Sequence, residues 1–258
     1  MAIIIKTREE IALLREAGRV NARALEAMRQ AVRPGMTTAE LDAIALDVLR
    51  SHKATPVFLG YPNPDRRFSH HPYPATINAS INDELVHGIP GRRVLKEGDI
   101  ISLDCGCSYN GFVGDAAFTM GVGRISAEAE RLVRVTEEAL YKAVEASRAG
   151  NYLGDVSATI QEYAESHGYN VVREYTGHGV GRSMHEDPII PNWGERRTGV
   201  KLRAGMTYAL EPMLMMGSYE VYVKRDAWTV ATRDHRLCAH FEHTIAVTDG
   251  EAEILTLL

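Results

Sequence analysis

Asp104, Asp115, His178, Glu211 and Glu242 each lie beside a turn or inside a short apolar, strand-like run, a setting that points to a shared pocket for metal ions. The four carboxylates carry a formal charge of about −4 against one neutral imidazole, a density that buried groups tolerate only when cations compensate it. One dication would leave about two charges uncompensated, and about eight carboxylate oxygens exceed what one small ion coordinates. Two bridged dications satisfy both counts, and such a pair activates water for hydrolysis. Taken singly, each residue has a plainer reading: an Asp beside a glycine turn is ordinarily a surface cap, and a strand Glu ordinarily points to water. For the set that reading fails, because Glu211 falls inside an apolar run where an unpaired charge is costly.

Such residues need elements that fold them together. Asp104 and Asp115 are separated by Cys105-Gly106-Cys107 and by Asn110-Gly111, a strong hairpin signal that turns the two carboxylates toward each other. His178 lies in Thr176-Gly177-His178-Gly179-Val180-Gly181, whose three glycines permit close backbone approach, and Glu242 lies in Phe241-Glu242-His243-Thr244 on a neighbouring strand. Apolar runs predict strands over 100–105, 112–120, 208–214 and 244–248. Thr7 with Glu10 forms a capping box ahead of the helical spacing Ile11, Leu14, Ala17, Val20, which Pro34-Gly35 stops. A second box, Thr37 with Glu40, opens a helix through Leu49, and further helices are expected over 126–149, closed by Gly150, and over 153–167.

The pattern is duplicated. A shift of 115 positions carries Arg19, Val20, Ala24, Leu25, Ala31, Gly35, Ser51 and His52 onto Arg134, Val135, Ala139, Leu140, Ala146, Gly150, Ser166 and His167. A shift of 107 carries Leu95, Gly98, Leu103 and Asp104 onto Leu202, Gly205, Leu210 and Glu211, and His87-Gly88 echoes His178-Gly179. The joint register predicts two α/α/β halves, roughly 7–120 and 126–250, sharing one core in a single domain over 1–258. The expected class is α+β: a curved, mainly antiparallel sheet with four helices on its outer face and the acidic residues on its inner face.

Bulk composition narrows the setting. The 258 residues are 45% hydrophobic and 24% charged with a net charge of −5, which excludes disorder and argues against nucleic acid or an anionic membrane as the main partner. Arg92, Arg93 and Lys96 read as a solvated turn. No apolar run approaches the roughly 18 residues of a spanning helix, and Ala2-Ile3-Ile4-Ile5 is too short for a signal core, so a cytoplasmic protein is expected. Cys105, Cys107 and Cys238 fit a reducing compartment and read as buried thiols, with no second cysteine pair to complete a soft metal site.

Beyond the residues themselves, the segments Asn82-Asp83-Glu84-Leu85-Val86-His87-Gly88-Ile89-Pro90, Ser102-Leu103-Asp104, Gly114-Asp115, Gly177-His178-Gly179-Val180-Gly181, His185-Glu186, Leu210-Glu211-Pro212-Met213 and Phe241-Glu242-His243-Thr244 closely resemble type I methionine aminopeptidases over essentially the whole chain. That family has the duplicated pita-bread fold shared with prolidase and aminopeptidase P. The resemblance implies that Asp104, Asp115, His178, Glu211 and Glu242 are ligands of two divalent ions, with Asp115 and Glu242 bridging, and that His87 and His185 contact substrate. It implies that Glu211 relays the proton of the attacking water, and that Phe58, Tyr61, Met184 and Trp228 line the methionine pocket. It further implies removal of initiator methionine from nascent chains and N-terminal Met peptides when the next residue is small. Carboxylates with one imidazole accept Co, Mn, Fe(II) or Zn, which leaves the metal open. A monomer is expected, with room for a transient ribosome contact and with no membrane or direct nucleic-acid partner.

The chain starts at its first helix without cysteine-rich or basic extensions, and the stretch from His178 to Glu211 has no room for a type II insert, both features of the short bacterial-style form. One departure is the segment 62–74, longer than the matching loop of common type I enzymes, whose His70-His71 is either a solvated tip or an extra metal-binding pair. A prolidase-like activity and a ligand-less pseudo-enzyme are the rivals; the absence of an added N-terminal domain weighs against the first, and the complete ligand set against the second.

Overall fold

The computed structural model describes residues 2–258. The first half runs α1 (Arg8–Ala31), α2 (Thr38–Ser51), β1 (Thr55–Pro56), β2 (Ile77–Ile81), β3 (Glu84–Val86), β4 (Ile100–Tyr109) and β5 (Phe112–Gly121). The second half runs α3 (Ala127–Ala146), α4 (Leu153–Ser166), β6 (Asn170–Val171), β7 (Thr176–Gly179), β8 (Glu186–Pro191), β9 (Thr207–Leu210) and β10 (Met213–Met215). It continues through β11 (Val221–Val223), β12 (Val230–Thr232), β13 (Cys238–His240), β14 (Glu242–Ala246) and β15 (Glu253–Ile254).

Helix starts follow their local chemistry. Both capping boxes form: the Glu10 amide donates to Thr7 Oγ1 at 3.2 Å while the Thr7 amide donates to Glu10 Oε2 at 3.1 Å, and Thr37 with Glu40 repeats the exchange. Two helices end earlier than the sequence suggests, while α2 runs two residues past Leu49 to Ser51. α1 stops at Ala31, ahead of Pro34, and α3 stops at Ala146 rather than 149, where Ser147 leaves the helical region at ψ 57° and its hydroxyl donates back to the Ala143 carbonyl.

Nine strands form one sheet in the order β1-β4-β5-β14-β9-β7-β8, with β2 beside β4 and β15 beside β14, and every pairing is antiparallel. Two three-stranded sheets, β13-β10-β6 and β11-β12-β3, flank it. The β4–β5 hairpin turns at Asn110 (φ 49°) and Gly111 (φ 79°), the left-handed pair that a two-residue turn of the expected type demands. The strand expected over 208–214 is interrupted. Pro212 has no amide to donate to a ladder, so β9 ends at Leu210 and β10 joins a different sheet, which frees Glu211 at the break.

The duplication recurs in the backbone hydrogen bonds. Gly35 (φ 90°) donates to Leu95 O at 2.8 Å and Leu95 to Met36 O at 2.7 Å; Gly150 (φ 97°) donates to Leu202 O at 2.9 Å and Leu202 to Asn151 O at 2.7 Å. The equivalent His52 and His167 each cap a helix end through Nδ1, at 2.9 Å from Val48 O and 2.8 Å from Tyr163 O.

The main core lies between the helices and the nine-stranded sheet, where Leu25, Met28, Leu132 and Leu140 meet Ile101, Leu103, Leu210 and Ile245. α1 approaches β5 so closely that a Cβ on Gly114 would stand 2.6 Å from the Ala17 carbonyl carbon. Gly114→Val therefore forces helix and strand apart beside Asp115. It is expected to lower Tm by an amount matching about 1–3 kcal/mol, read by thermal unfolding; an unchanged Tm would show that this contact is slack.

Candidate metal centre

Strand register alone places the five predicted ligands on one face. Asp104 is paired with Ala117, and Ala117 with Glu242, so a row crosses β4, β5 and β14; Asp115, opposite Gly106, lies two residues along the same face. His178 is paired with Ala209, and Ala209 with Thr244, which shares its face with Glu242. Glu211 follows Leu210 at the β9 break, two residues beyond Ala209. Between the acids stand the small residues Ala117 and Ala209, and Gly106, where a Cβ would meet Val57, Phe58 and Asp115 Oδ1. The structure thus brings together all five.

The atoms face one another without enough partners. His178 Nε2 lies 3.3 Å from Glu211 Oε1 and 3.7 Å from Asp115 Oδ2. Its Nδ1 is 3.1 Å from the Gly179 carbonyl, an acceptor, so Nδ1 carries the proton and Nε2 turns a lone pair toward the carboxylates. Asp104 Oδ2 accepts from the Asn78 amide at 2.6 Å, yet Asp104 Oδ1, Asp115 Oδ1, Glu211 Oε1 and Glu242 Oε1 are buried with no hydrogen-bond partner. Lone pairs converging on lone pairs are unstable unless a positive charge sits among them, and carboxylate oxygens with neutral imidazole are the donor set that divalent ions accept. The residues present therefore fit a cation centre.

The titration behaviour has the same origin. Burial raises the Asp104 carboxyl to about 7 despite the Asn78 hydrogen bond, and burial with the neighbouring acids drives Asp115, Glu211 and Glu242 well above the ordinary carboxylate range. Burial lowers His178 to about 3 and His87 to about 4, with nearby His185 adding to both.

A cavity of about 510 Å³ opens from this floor. Phe58, Tyr61, Met184 and Trp228 all line it, as expected, together with Tyr73, which the sequence did not single out. Phe58, Tyr73 and Trp228 pack into one apolar cluster, with Tyr73 edge-on to both others; Tyr61, Ile89 and Met184 pack against it. His87, held at φ 59°, presents its ring between Tyr175 and Trp228. His185 stands at the rim, its Nδ1 2.7 Å from the Tyr61 hydroxyl and its ring 4.1 Å from that of His178.

The segment carrying His185 is anchored from below. Glu186 accepts the amides of Arg182 and Ser183 through Oε1 and pairs with Lys6 Nζ through Oε2 at 2.6 Å, the two side chains only 8% and 3% exposed. Segment 62–74 lies over the cavity mouth: Pro64 joins its lining, Asn63 donates to Ala227 O, and the Trp228 indole donates to His71 O. His70 and His71 stand exposed with rings 4.1 Å apart, away from the acidic floor. Arg92 is exposed, while Arg93 pairs with Glu84. Cys105, Cys107 and Cys238 are buried free thiols, with burial raising Cys107 to about 12 and pushing Cys105 and Cys238 well up from the ordinary thiol value.

One residue at the centre escaped the sequence reading altogether. His240 is buried with Nε2 facing Glu211 and Glu242. Its signal was available in the alternation of His240, Phe241 and Glu242, which sets two polar side chains on one face around an apolar one.

A duplicated α+β fold with a buried acid and imidazole cluster at the base of an apolar cavity defines a class of metal-dependent hydrolases. The chain belongs to metallopeptidase family M24, which matches residues 12–249. Within it, the chain is 48% identical over 256 residues to the methionine aminopeptidase of Clostridium perfringens, spanning 99% of each. The crystal structure of methionine aminopeptidase from Thermotoga maritima superposes with TM-score 0.94 at 46% identity, covering 100% of both chains. The Xaa-Pro dipeptidase of Bacillus anthracis shares the fold at TM-score 0.77 and 25% identity, with 98% of this chain covering 61% of that one.

In the cation-free protein the raised acids keep protons that the unfolded chain has released, so stability falls as pH rises through their folded-state values. The buried histidines act in the opposite sense only below the ordinary imidazole value of about 6.5, where the unfolded chain takes up protons that the folded one refuses. Above about pH 7 the histidine contribution has ended while Asp115, Glu211 and Glu242, raised well above the ordinary carboxylate range, still hold protons, so chelator-treated protein is expected to go on losing Tm as pH rises from there, with Mn²⁺ removing most of the loss. A Tm flat over that rise in pH without cation would contradict the proposed crowding of acids.

Proposed function

We propose that this chain removes N-terminal methionine from nascent proteins and peptides, with preference for a small second residue, using two divalent ions held by Asp104, Asp115, His178, Glu211 and Glu242. The observation that carries the reading is a polar centre at the floor of a cavity with one largely aromatic and apolar wall. Phe58, Tyr61, Tyr73, Met184 and Trp228 suit an unbranched thioether, which gains from aromatic edges near sulfur. The names carried by the similar proteins support the same activity.

Divalent ions held there supply Lewis acidity, which lowers the pKa of water toward neutrality and polarises a carbonyl group. The chain's own residues do the rest. Glu211, held at the break between β9 and β10 with Oε1 3.3 Å from His178 Nε2, takes the proton of the attacking water and returns it to the leaving amine as the scissile C–N bond breaks. A phenol is a better donor than acceptor, so Tyr61 donates to His185 Nδ1 and leaves the proton on Nε2, where it meets the developing oxyanion. Burial keeps His87 neutral at ordinary pH, able to hydrogen-bond near the scissile amide. The free α-amine of the substrate fits only where a chain begins, because the floor closes the cavity.

Residues 1–258 are taken as one catalytic domain with halves over roughly 7–120 and 126–250, a division supported by the recurring hydrogen bonds. A cytoplasmic setting is supported by three unpaired buried thiols and, among the described residues, by no helix long and apolar enough to cross a membrane.

Cleavage of Met-Ala-Ser is expected to exceed that of Met-Arg-Ser by about tenfold or more, with no release from Xaa-Pro peptides. Equal rates on the two Met peptides would contradict the selectivity, and preferential Xaa-Pro cleavage would favour a prolidase-like activity. His87→Ala should lower kcat about tenfold or more with metal content intact; an unaltered rate would remove His87 from the mechanism.

A further inference from the structure

His240 closes β13 opposite Met213 of β10, so the two strand ends flank the break that frees Glu211. Its backbone is clamped by a single hydroxyl: Thr119 Oγ1 donates to the His240 carbonyl at 2.7 Å and accepts the His240 amide at 3.0 Å. The residue is 2% exposed, and Nε2 has no hydrogen-bond partner. Facing that nitrogen are Glu211 Oε2 at 3.8 Å and Glu242 Oε2 at 4.0 Å.

Those distances are too long for a direct hydrogen bond, which ends near about 3.2 Å. They are also too short to be indifferent, because a buried nitrogen facing two carboxylate oxygens across a gap is an expensive arrangement if nothing fills it. Two ligand atoms each about 2.0–2.2 Å from one ion can stand up to about 4.4 Å apart. Both separations lie inside that limit. The ligand atoms of Glu211, His240 and Glu242 lie within 4.8 Å of one another, as do those of Asp115, His178 and Glu242. Glu242 is common to the two groups, and each group holds one imidazole.

We propose that His240 is a further protein ligand of the centre, giving the second cation position a nitrogen donor of its own. This rests on the two-ion reading of the preceding subsection and deepens it. His178 then serves one position and His240 the other, with Glu242 between them. An added imidazole shifts the preference of that position away from ions that favour an all-oxygen shell, such as Mg and Mn, toward Co, Fe(II) and Zn.

The test is Co²⁺ binding to chelator-stripped protein by calorimetry, with X-ray absorption at the cobalt edge to count imidazoles, on the unaltered chain and on His240→Gln. The unaltered chain is expected to bind two Co²⁺ with an average of about one imidazole per cobalt. His240→Gln should lose about tenfold or more in affinity at one position, and the imidazole count should fall by half. Two Co²⁺ bound by the unaltered chain with half an imidazole each would overturn the proposal and leave a water-filled gap beside His240, a result that needs no variant to fold. Unchanged affinity and count in the variant would overturn it equally. Binding of fewer than two Co²⁺ by the unaltered chain would bring down the two-ion reading itself, a separate and distinguishable failure.

Discussion

Four buried carboxylates and an imidazole lone pair are held against their mutual repulsion on one face of one sheet, and the rest of the molecule is arranged to keep them there. Left to themselves these groups would separate into water. A hydrogen-bonded nine-stranded ladder prevents this, since drawing the backbone of Asp104, Asp115 or Glu242 away would break the pairing of β4, β5 and β14. The Gly179 carbonyl adds a second constraint by taking the His178 Nδ1 proton and forcing Nε2 inward. Strain of this kind marks functional sites, because a centre built to release its repulsion on binding a cation gains affinity from its own crowding.

The duplication explains how so many polar groups come to converge. Each half supplies two helices and a strand that carries an acid at the matching position, Asp104 within β4 and Glu211 just past β9, and each uses the same glycine turn to enter its second helix. β5 and β14 lie between these two strands and bring Asp115 and Glu242 to the same face. The apolar wall comes from elsewhere. Phe58 precedes the 62–74 segment and Tyr73 lies near its end, Trp228 sits on a loop between β11 and β12, and Met184 lies on the glycine-rich segment that Lys6 and Glu186 tie down. Chemistry and selectivity are thus carried by different parts of the chain, rigid sheet for one and loops for the other.

What the sequence made legible follows the range of each signal. Capping boxes, the Asn110-Gly111 turn and the helical spacing are local, and they appear where expected, apart from helix ends that Ser147 and the residues before Pro34 settle a few positions early. The acidic cluster was readable because charge in an apolar strand is rare enough to demand a partner. The break at Pro212 was present in the sequence but went unread within the apolar run 208–214. Tyr73 and His240 were missed for a common reason. Their roles depend on which loops and strand ends meet in space; Tyr73 stands in no periodic run, and the alternation of His240, Phe241 and Glu242 is too short to stand out by itself.

The central claim is that cations belong in the gap among these lone pairs, and anomalous diffraction from crystals grown with Mn²⁺ tests it most directly. Two anomalous peaks are predicted on the sheet face between Asp104, Asp115, His178, Glu211 and Glu242, each about 2.0–2.3 Å from carboxylate oxygens. Absence of any peak there, with the carboxylates still in contact, would contradict the account.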